Sequence, residues 1–224
     1  RTVAATAAAA RPTQFRVGGG ADRQVMHTVH IAYCKAMRDL FLDGLPVLDA
    51  LEIGASTAMA AHWLNCDQSS ISRTYRRASD QLGLNFEKSN GTYQASGNLP
   101  LLKTLRQASQ LLRLSSDGQL LQWLLHPDLQ LGGALATRKP APKPPLSCPW
   151  PQSQRLAELL NQRLVDLVLV PASLPLTQEI GRQPSVSVLP LASAATPAAA
   201  LVHPDLQQHR CIAEALDQLG PALG

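Results

Sequence analysis

Between residues 46 and 97 the chain places helix starts, helix stops and a hairpin turn so close together that only a small helical unit with a ribbon behind it can result. Pro46 suits the first turn of a helix running to about Ile53, because proline pre-sets the helical φ where no N–H partner is lost. Gly54-Ala55-Ser56 breaks that helix, and Ser56 or Thr57 can cap a short one through Leu64. A four-residue turn, Asn65-Cys66-Asp67-Gln68, follows, with Asp67 as cap of a helix to about Leu82 that Gly83 closes in the left-handed conformation. Residues 84–97 read as a two-stranded ribbon turning at Asn90-Gly91, the strongest two-residue hairpin signal.

On either side the pattern changes. Residues 24–42 read as one helix, with Val25, Val29, Ala32, Cys34, Met37 and Leu40 roughly on one side and Asp43-Gly44 ending it. Residues 98–114 form a long helix in which Leu101, Leu105, Ala108 and Leu112 make a coiled-coil-like seam. After a break at 115–118 the helix is expected to continue over 119–125. Five prolines before Pro151 make 138–151 an extended linker or irregular crossing. Then helix and strand alternate: a helix at 154–163, a buried strand at 165–171, strands at 185–189 and 198–202, and a closing helix over 204–219 with Cys211, Ile212, Leu216 and Leu219 on one face. The expected fold class is α+β, with a helical N-terminal unit, a long linker helix and a small α/β lobe. The expected divisions are 1–25, a disordered tail; 26–97; 98–126, the linker and dimerisation helix; and 127–224. Met26 or Met37 is the expected natural start.

Charge narrows the possible partners. A net +4 over 224 residues is modest, but residues 68–113 hold seven bases (Arg73, Arg76, Arg77, Lys88, Lys103, Arg106, Arg113) against Asp80 and Glu87. A local positive field of that kind is expected of a phosphate-facing patch. Cys34, Cys66, Cys148 and Cys211 are far apart, which argues against a disulfide framework or zinc site and for a reducing, cytoplasmic setting. His27 and His30 have no third ligand at suitable spacing, so no metal and no cofactor is expected. No run of about 18 apolar residues exists to span a membrane. No nucleophile elbow, phosphate loop, dinucleotide fingerprint or paired-carboxylate constellation appears, so no enzyme is expected. His126-Pro127-Asp128-Leu129-Gln130 recurs as His203-Pro204-Asp205-Leu206-Gln207, which a proline opening a turn or helix explains.

Helix, short helix, turn, helix and ribbon in this order is a winged helix-turn-helix, whose second helix fits the major groove while the first braces it. Ala60-Ala61 allow a close crossing, and Leu64, Ile71 and Tyr75 are expected to pin the two helices together, with Trp63 in the core. Gln68, Ser69, Ser72, Arg73 and Arg76 fall on or near the exposed N-terminal face; Gln can read adenine and Arg guanine bidentately. The full set of candidate DNA contacts is Ser56, Thr57, Gln68, Ser69, Ser70, Ser72, Arg73, Arg76, Arg77, Lys88, Asn90 and Thr92.

The run A-A-H-W-L-N-C-D-Q-S-S-I-S-R at 60–73 resembles the A-A-x-x-L-x-x-x-Q-x-x-[IV]-S-x signature of LysR-type transcriptional regulators. Gly54-Ala55-Ser56, Leu82-Gly83, Phe86-Glu87-Lys88 and 93–97 stand in register with that family's further landmarks, and the L-V-D-L-V-L-V of 164–170 is similar to its later strand. Ser69 replaces the family's usual proline, and Ala78-Ser79 its usual Leu-Glu pair. The resemblance implies a dimeric regulator binding double-stranded DNA, with residues 101–112 as the dimerising linker. The alternative is an interaction or scaffold protein that keeps the fold without reading DNA. Only 98 residues follow the linker, too few for both lobes of the family's effector domain, so a small-molecule effector is uncertain and Ser173 and Thr177 mark at most a shallow site.

Overall fold

The computed structural model describes residues 39–89, 91–115, 119–132, 144–173, 179–180, 182–191 and 196–223. The expectations for the tail at 1–25, for most of the helix at 24–42, and for His27, His30, Asn90 and Thr177 lie outside these residues.

Asp43-Gly44 does not stop the chain. A π-turn, Leu40–Gly44, passes straight into α1, Leu45–Gly54. Leu40 and Leu45 are both buried and Gly44 takes right-handed angles, so the backbone stays wound against the core. Pro46 sits in the first turn as its fixed φ requires, and Ala55, left-handed at φ 56°, ends the helix. Ser56 Oγ accepts the Met59 N–H at 3.1 Å and starts α2, Thr57–Trp63. Then come α3, Gln68–Leu82, and a ribbon of β1, Leu84–Ser89, and β2, Thr92–Gly97, with Gly83 left-handed between them and α3. Ser89 pairs with Thr92, so the connection has two residues as the sequence requires. The long helix α4 is Leu99–Leu114.

Residues 119–125 depart from the helix expected there. Trp123–Leu125 is a strand, β3, pairing in parallel with β4, Leu167–Pro171. Trp123 and Leu124 enter cores on opposite faces of the sheet, a period of two that so short an apolar run does not display in sequence. β6, Ala198–Val202, runs antiparallel to β4, and β5, Ser187–Leu191, to β6, giving the order β3-β4-β6-β5. Every residue of the two central strands is buried, so both read as continuous apolar runs. One face is covered by α5, Ser153–Asn161, through Leu156 and Leu160. The other is covered by α6, Arg210–Leu219, through Ile212 and Leu219. α6 is shorter than the helix expected over 204–219, because Pro204–Leu206 is a separate 3-10 turn. Both H-P-D-L-Q copies do the same work: each leaves a strand, and His126 and His203 accept the Asp128 and Asp205 N–H through Nδ1.

α4 lies between the helical unit and the sheet, and its inner face is polar. Arg106, 3% exposed, donates to Asp49 and Glu52 of α1, each at 2.8 Å, and to Gln162 at 3.3 Å. One turn on, Gln110 donates to Asp166 at 2.9 Å, and Arg113 grips the same carboxylate with two bonds of 3.0 and 2.8 Å. The Gln122 N–H completes the Asp166 shell at 2.9 Å, and Arg163, left-handed at φ 63°, donates to Gln110 and Asp205. Truncating one member of a buried ion pair leaves the other charge desolvated. Asp166→Ala is expected to cost about 3–5 kcal/mol of stability. Urea unfolding checks this as a lower midpoint at unchanged slope, and Asp166→Asn should lose nearly as much, because both oxygens accept from N–H donors and an amide nitrogen cannot.

Candidate nucleic-acid interface

The α2–turn–α3 unit closes on small residues. Ala60 and Ala61 are buried at the crossing, as expected, and Ile71 is fully enclosed. A Cβ on Gly54 would stand 3.2 Å from the Met59 and Trp63 side chains, so glycine leaves room for Trp63 to fold back over the end of α1 without crowding. Trp63 is half-buried there, joining the core beneath α5 as well as that of the helices. Leu64, expected to pin the helices, instead stands exposed, because it follows the last turn of α2 where the chain swings toward Asn65 at φ 50°. Tyr75 is half-buried behind α3.

Asp67 organises the start of α3. Its carboxylate accepts the Ser70 N–H at 2.8 Å, the Ser70 hydroxyl at 2.7 Å and the Ser69 hydroxyl. Those bonds, Ser69's foremost, hold the Asp67 carboxyl well below the usual carboxylate range. Arg73 donates to the Ser70 hydroxyl at 3.2 Å. Ser69 and Ser70 therefore direct their hydroxyl protons at Asp67, leaving lone pairs for an outside partner. Gln68, Ser69, Arg73, Arg76 and Arg77 are exposed, and Ser72 half-buried.

The ribbon is fixed to the rear of α3 by Tyr75, Phe86 and Tyr93, whose ring centroids lie 5.7 to 6.2 Å apart. Two of these rings carry cations: Arg76 lies 5.8 Å from the Tyr75 centroid and Lys88 5.5 Å from that of Tyr93. Sequence reasoning did not single out this trio. Its signal was concentration, since three of the nine aromatic residues fall within 75–93.

Other candidates divide. Lys88 is exposed, Thr57 and Thr92 are half-buried, and Ser56 is committed to its cap. Arg106 and Arg113 do not belong to the positive patch, because both are buried against carboxylates; Arg73, Arg76, Arg77, Lys88 and Lys103 remain outside. Along α4, Leu101 and Leu112 are exposed while Leu105 and Ala108 are half-buried. Ser173 is exposed just beyond β4. Among the described residues no helix is long and apolar enough to cross a membrane, and no group of His, Cys, Asp and Glu could hold a metal ion.

No family model and no curated protein matches this chain. Among solved structures it is similar to a full-length OxyR variant from Pseudomonas aeruginosa, at 20% identity over 68% of this chain and 54% of that one, with a TM-score of 0.37. CrgA from Neisseria meningitidis, a LysR-type transcriptional regulator, is similar at 17% identity over 66% and 52%, with a TM-score of 0.23. DarR from Vibrio fischeri, of the same family and solved in complex with DNA, is similar at 21% identity over 68% and 55%, with a TM-score of 0.23. The chain spans about half the length of these structures. The resemblance to LysR-type regulators lies in the chain's own residues 54–97.

The Asp67 cap gives a prediction with a defined pH dependence. A carboxyl lowered in the folded state stabilises fully above its ordinary value near 3.8 and progressively less as pH falls through the folded value. Asp67→Ala is expected to lower the thermal midpoint at neutral pH. The gap to the parent protein should narrow only below about pH 4, as thermal scans across pH would record.

Proposed function

We propose that this chain is a sequence-specific DNA-binding transcription regulator that reads the major groove with α3 as part of a winged helix-turn-helix and acts as a homodimer. The carrying observation is the division of α3. Ile71, Ala78 and Leu82 are buried behind it, while Gln68, Arg73 and Arg76 stand exposed in front with Ser72 at their edge. A polar helix face beginning at its N-terminus and braced by α2 is what a major groove admits. In this reading Gln68 and Arg73 contact base edges, and Arg76, Arg77 and Lys88 contact phosphates. Ser69 and Ser70, with protons committed to Asp67, serve as acceptors. Residues 26–97 form the reading unit, α4 the linker, and 127–224 a reduced effector-like lobe that β3 also joins. No cofactor is needed, and the setting is cytoplasmic.

The dimer seam uses the outer stripe of α4. Leu101 and Leu112 are 39% and 63% exposed, whereas Leu102, Arg106, Gln110 and Arg113 are turned inward, so one helix face is left for a partner copy. Leu105 already packs in the N-terminal core, so Leu112 tests the seam more cleanly. Leu112→Asp should turn a sedimenting dimer into a monomer without loss of secondary structure, and a parent protein that is monomeric at micromolar concentration rejects the seam.

Arg73→Ala is expected to weaken specific binding by roughly 1–3 kcal/mol and to relax base preference at one position per half-site. Selection of bound fragments from random DNA, followed by titration, measures both. Equal loss on every sequence would reassign Arg73 to a phosphate. A parent protein that selects no sequence at all would instead favour an interaction protein built on this fold.

A further inference from the structure

A cleft of about 420 Å³ lies where β2, α4 and the end of α5 meet, apart from the residues proposed to read DNA. Its volume falls within the range of small-molecule sites, roughly 300–1,000 Å³. One wall is apolar: Ala95 from β2, then Leu99, Pro100 and Leu102 from the first turn of α4. Leu99 is 48% exposed, so this wall offers apolar surface that the fold has not covered. The opposite wall is polar, with Lys103, the Arg106–Glu52 pair and the amides of Asn161 and Gln162.

Arg106 is the decisive group. It is nearly fully buried, yet it lines the cleft. A guanidinium carries five N–H donors. Arg106 uses three, toward Asp49, Glu52 and Gln162, which leaves two beyond these bonds. Lys103, one helical turn earlier and exposed, enters no ion pair among the described residues. Glu52, the one carboxylate among the lining residues, is already held by Arg106 at 2.8 Å. The uncapped N-terminus of α4 opens beside the same wall, since the Asn98 side chain makes no capping bond there.

We infer that this cleft binds a small organic monoanion with an apolar body, its carboxylate or sulfonate beside Lys103 and Arg106 and its hydrocarbon against Leu99 and Leu102. Arg106 already answers two carboxylates, Asp49 and Glu52, so the surplus charge of the wall is that of Lys103, which favours one negative charge, and the apolar wall disfavours a fully hydrated inorganic ion. The occupant would touch the ribbon, the linker helix and the C-terminal lobe together. The site is separate from the turn at Ser173, and the inference does not depend on the DNA reading.

The test is a fluorescence titration of the full chain with 8-anilinonaphthalene-1-sulfonate, which joins an apolar ring system to one sulfonate. Saturable binding at one site per chain, displaced by 4-phenylbutyrate, is expected. Lys103→Glu, an exposed change, should weaken it at least about tenfold at an unchanged unfolding midpoint. N-phenyl-1-naphthylamine, the same ring system without the sulfonate, should bind more weakly and ignore that change. Arg182→Glu, a charge reversal at an exposed residue that does not line the cleft, should leave sulfonate binding as it was. Unsaturable binding, indifference to Lys103→Glu, or equal loss for the uncharged dye would overturn the proposal.

Discussion

Asp166 collects hydrogen bonds from Gln110, from Nε and one terminal nitrogen of Arg113 and from the Gln122 backbone, and through them the sheet is joined to the helix in front of it. One turn earlier Arg106 does the same toward α1, with Asp49 and Glu52. Desolvating so many charges costs several kcal/mol per ion before pairing offsets it. The cost is visible in Asp49 and Glu52, whose carboxyls burial pushes above their usual range even with Arg106 pulling them down. An apolar seam would hold the same pieces together and tolerate small slips. A bidentate carboxylate–guanidinium pair does not, because a shift of one residue leaves charges buried without partners. The network therefore fixes register as much as it holds the layers together.

That register decides what α4 presents outward. With Leu102, Arg106, Gln110 and Arg113 turned inward, helical spacing sends Leu101, Leu111 and Leu112 to solvent. The outer apolar stripe and the inner polar one are two consequences of one rotation about the helix axis. The same rotation brings Lys103 to the cleft beside β2. Arg163, whose positive φ carries strain for a residue with a Cβ, is held in place by its own bonds to Gln110 and Asp205.

Local rules governed what could be read from the sequence. Ser56, Asp67, Gly83 and the two-residue connection to Thr92 act on neighbours within four residues, so each appears in the structure as expected. The buried strand expected at 165–171 forms over Leu167–Pro171, legible as an apolar run because both of its faces are covered. β3 was not, since three residues give no usable period and its pairing partner lies more than 40 residues away. Arg106 and Arg113 misled for the same reason. In sequence they extend a basic run, and only the fold brings Asp49, Glu52 and Asp166 to them across separations of 53 to 57 residues. Trp63 packs against the core as expected, whereas Leu64, expected to pin the helices, stands exposed beyond the last turn of α2.

The front of α3 shows how such a surface can be prepared before any partner arrives. Binding orders side chains, and each rotamer-rich side chain immobilised costs about 0.5–1.5 kcal/mol. Arg76 and Lys88 rest over aromatic rings, and Arg73 is tethered to Ser70, so part of that ordering is already made within the fold. The device that sets Ser70 is Asp67, an anion at the lip of a surface proposed to meet phosphates. Its charge opposes an approaching backbone, yet the N-terminal dipole of α3 and the two serine hydroxyls stabilise it where it stands. A net attraction then depends on Arg73, Arg76, Arg77 and Lys88 outweighing one nearby carboxylate. That balance favours close, well-aligned contacts over loose ones, because in salt the field of a single charge fades within about 10 Å.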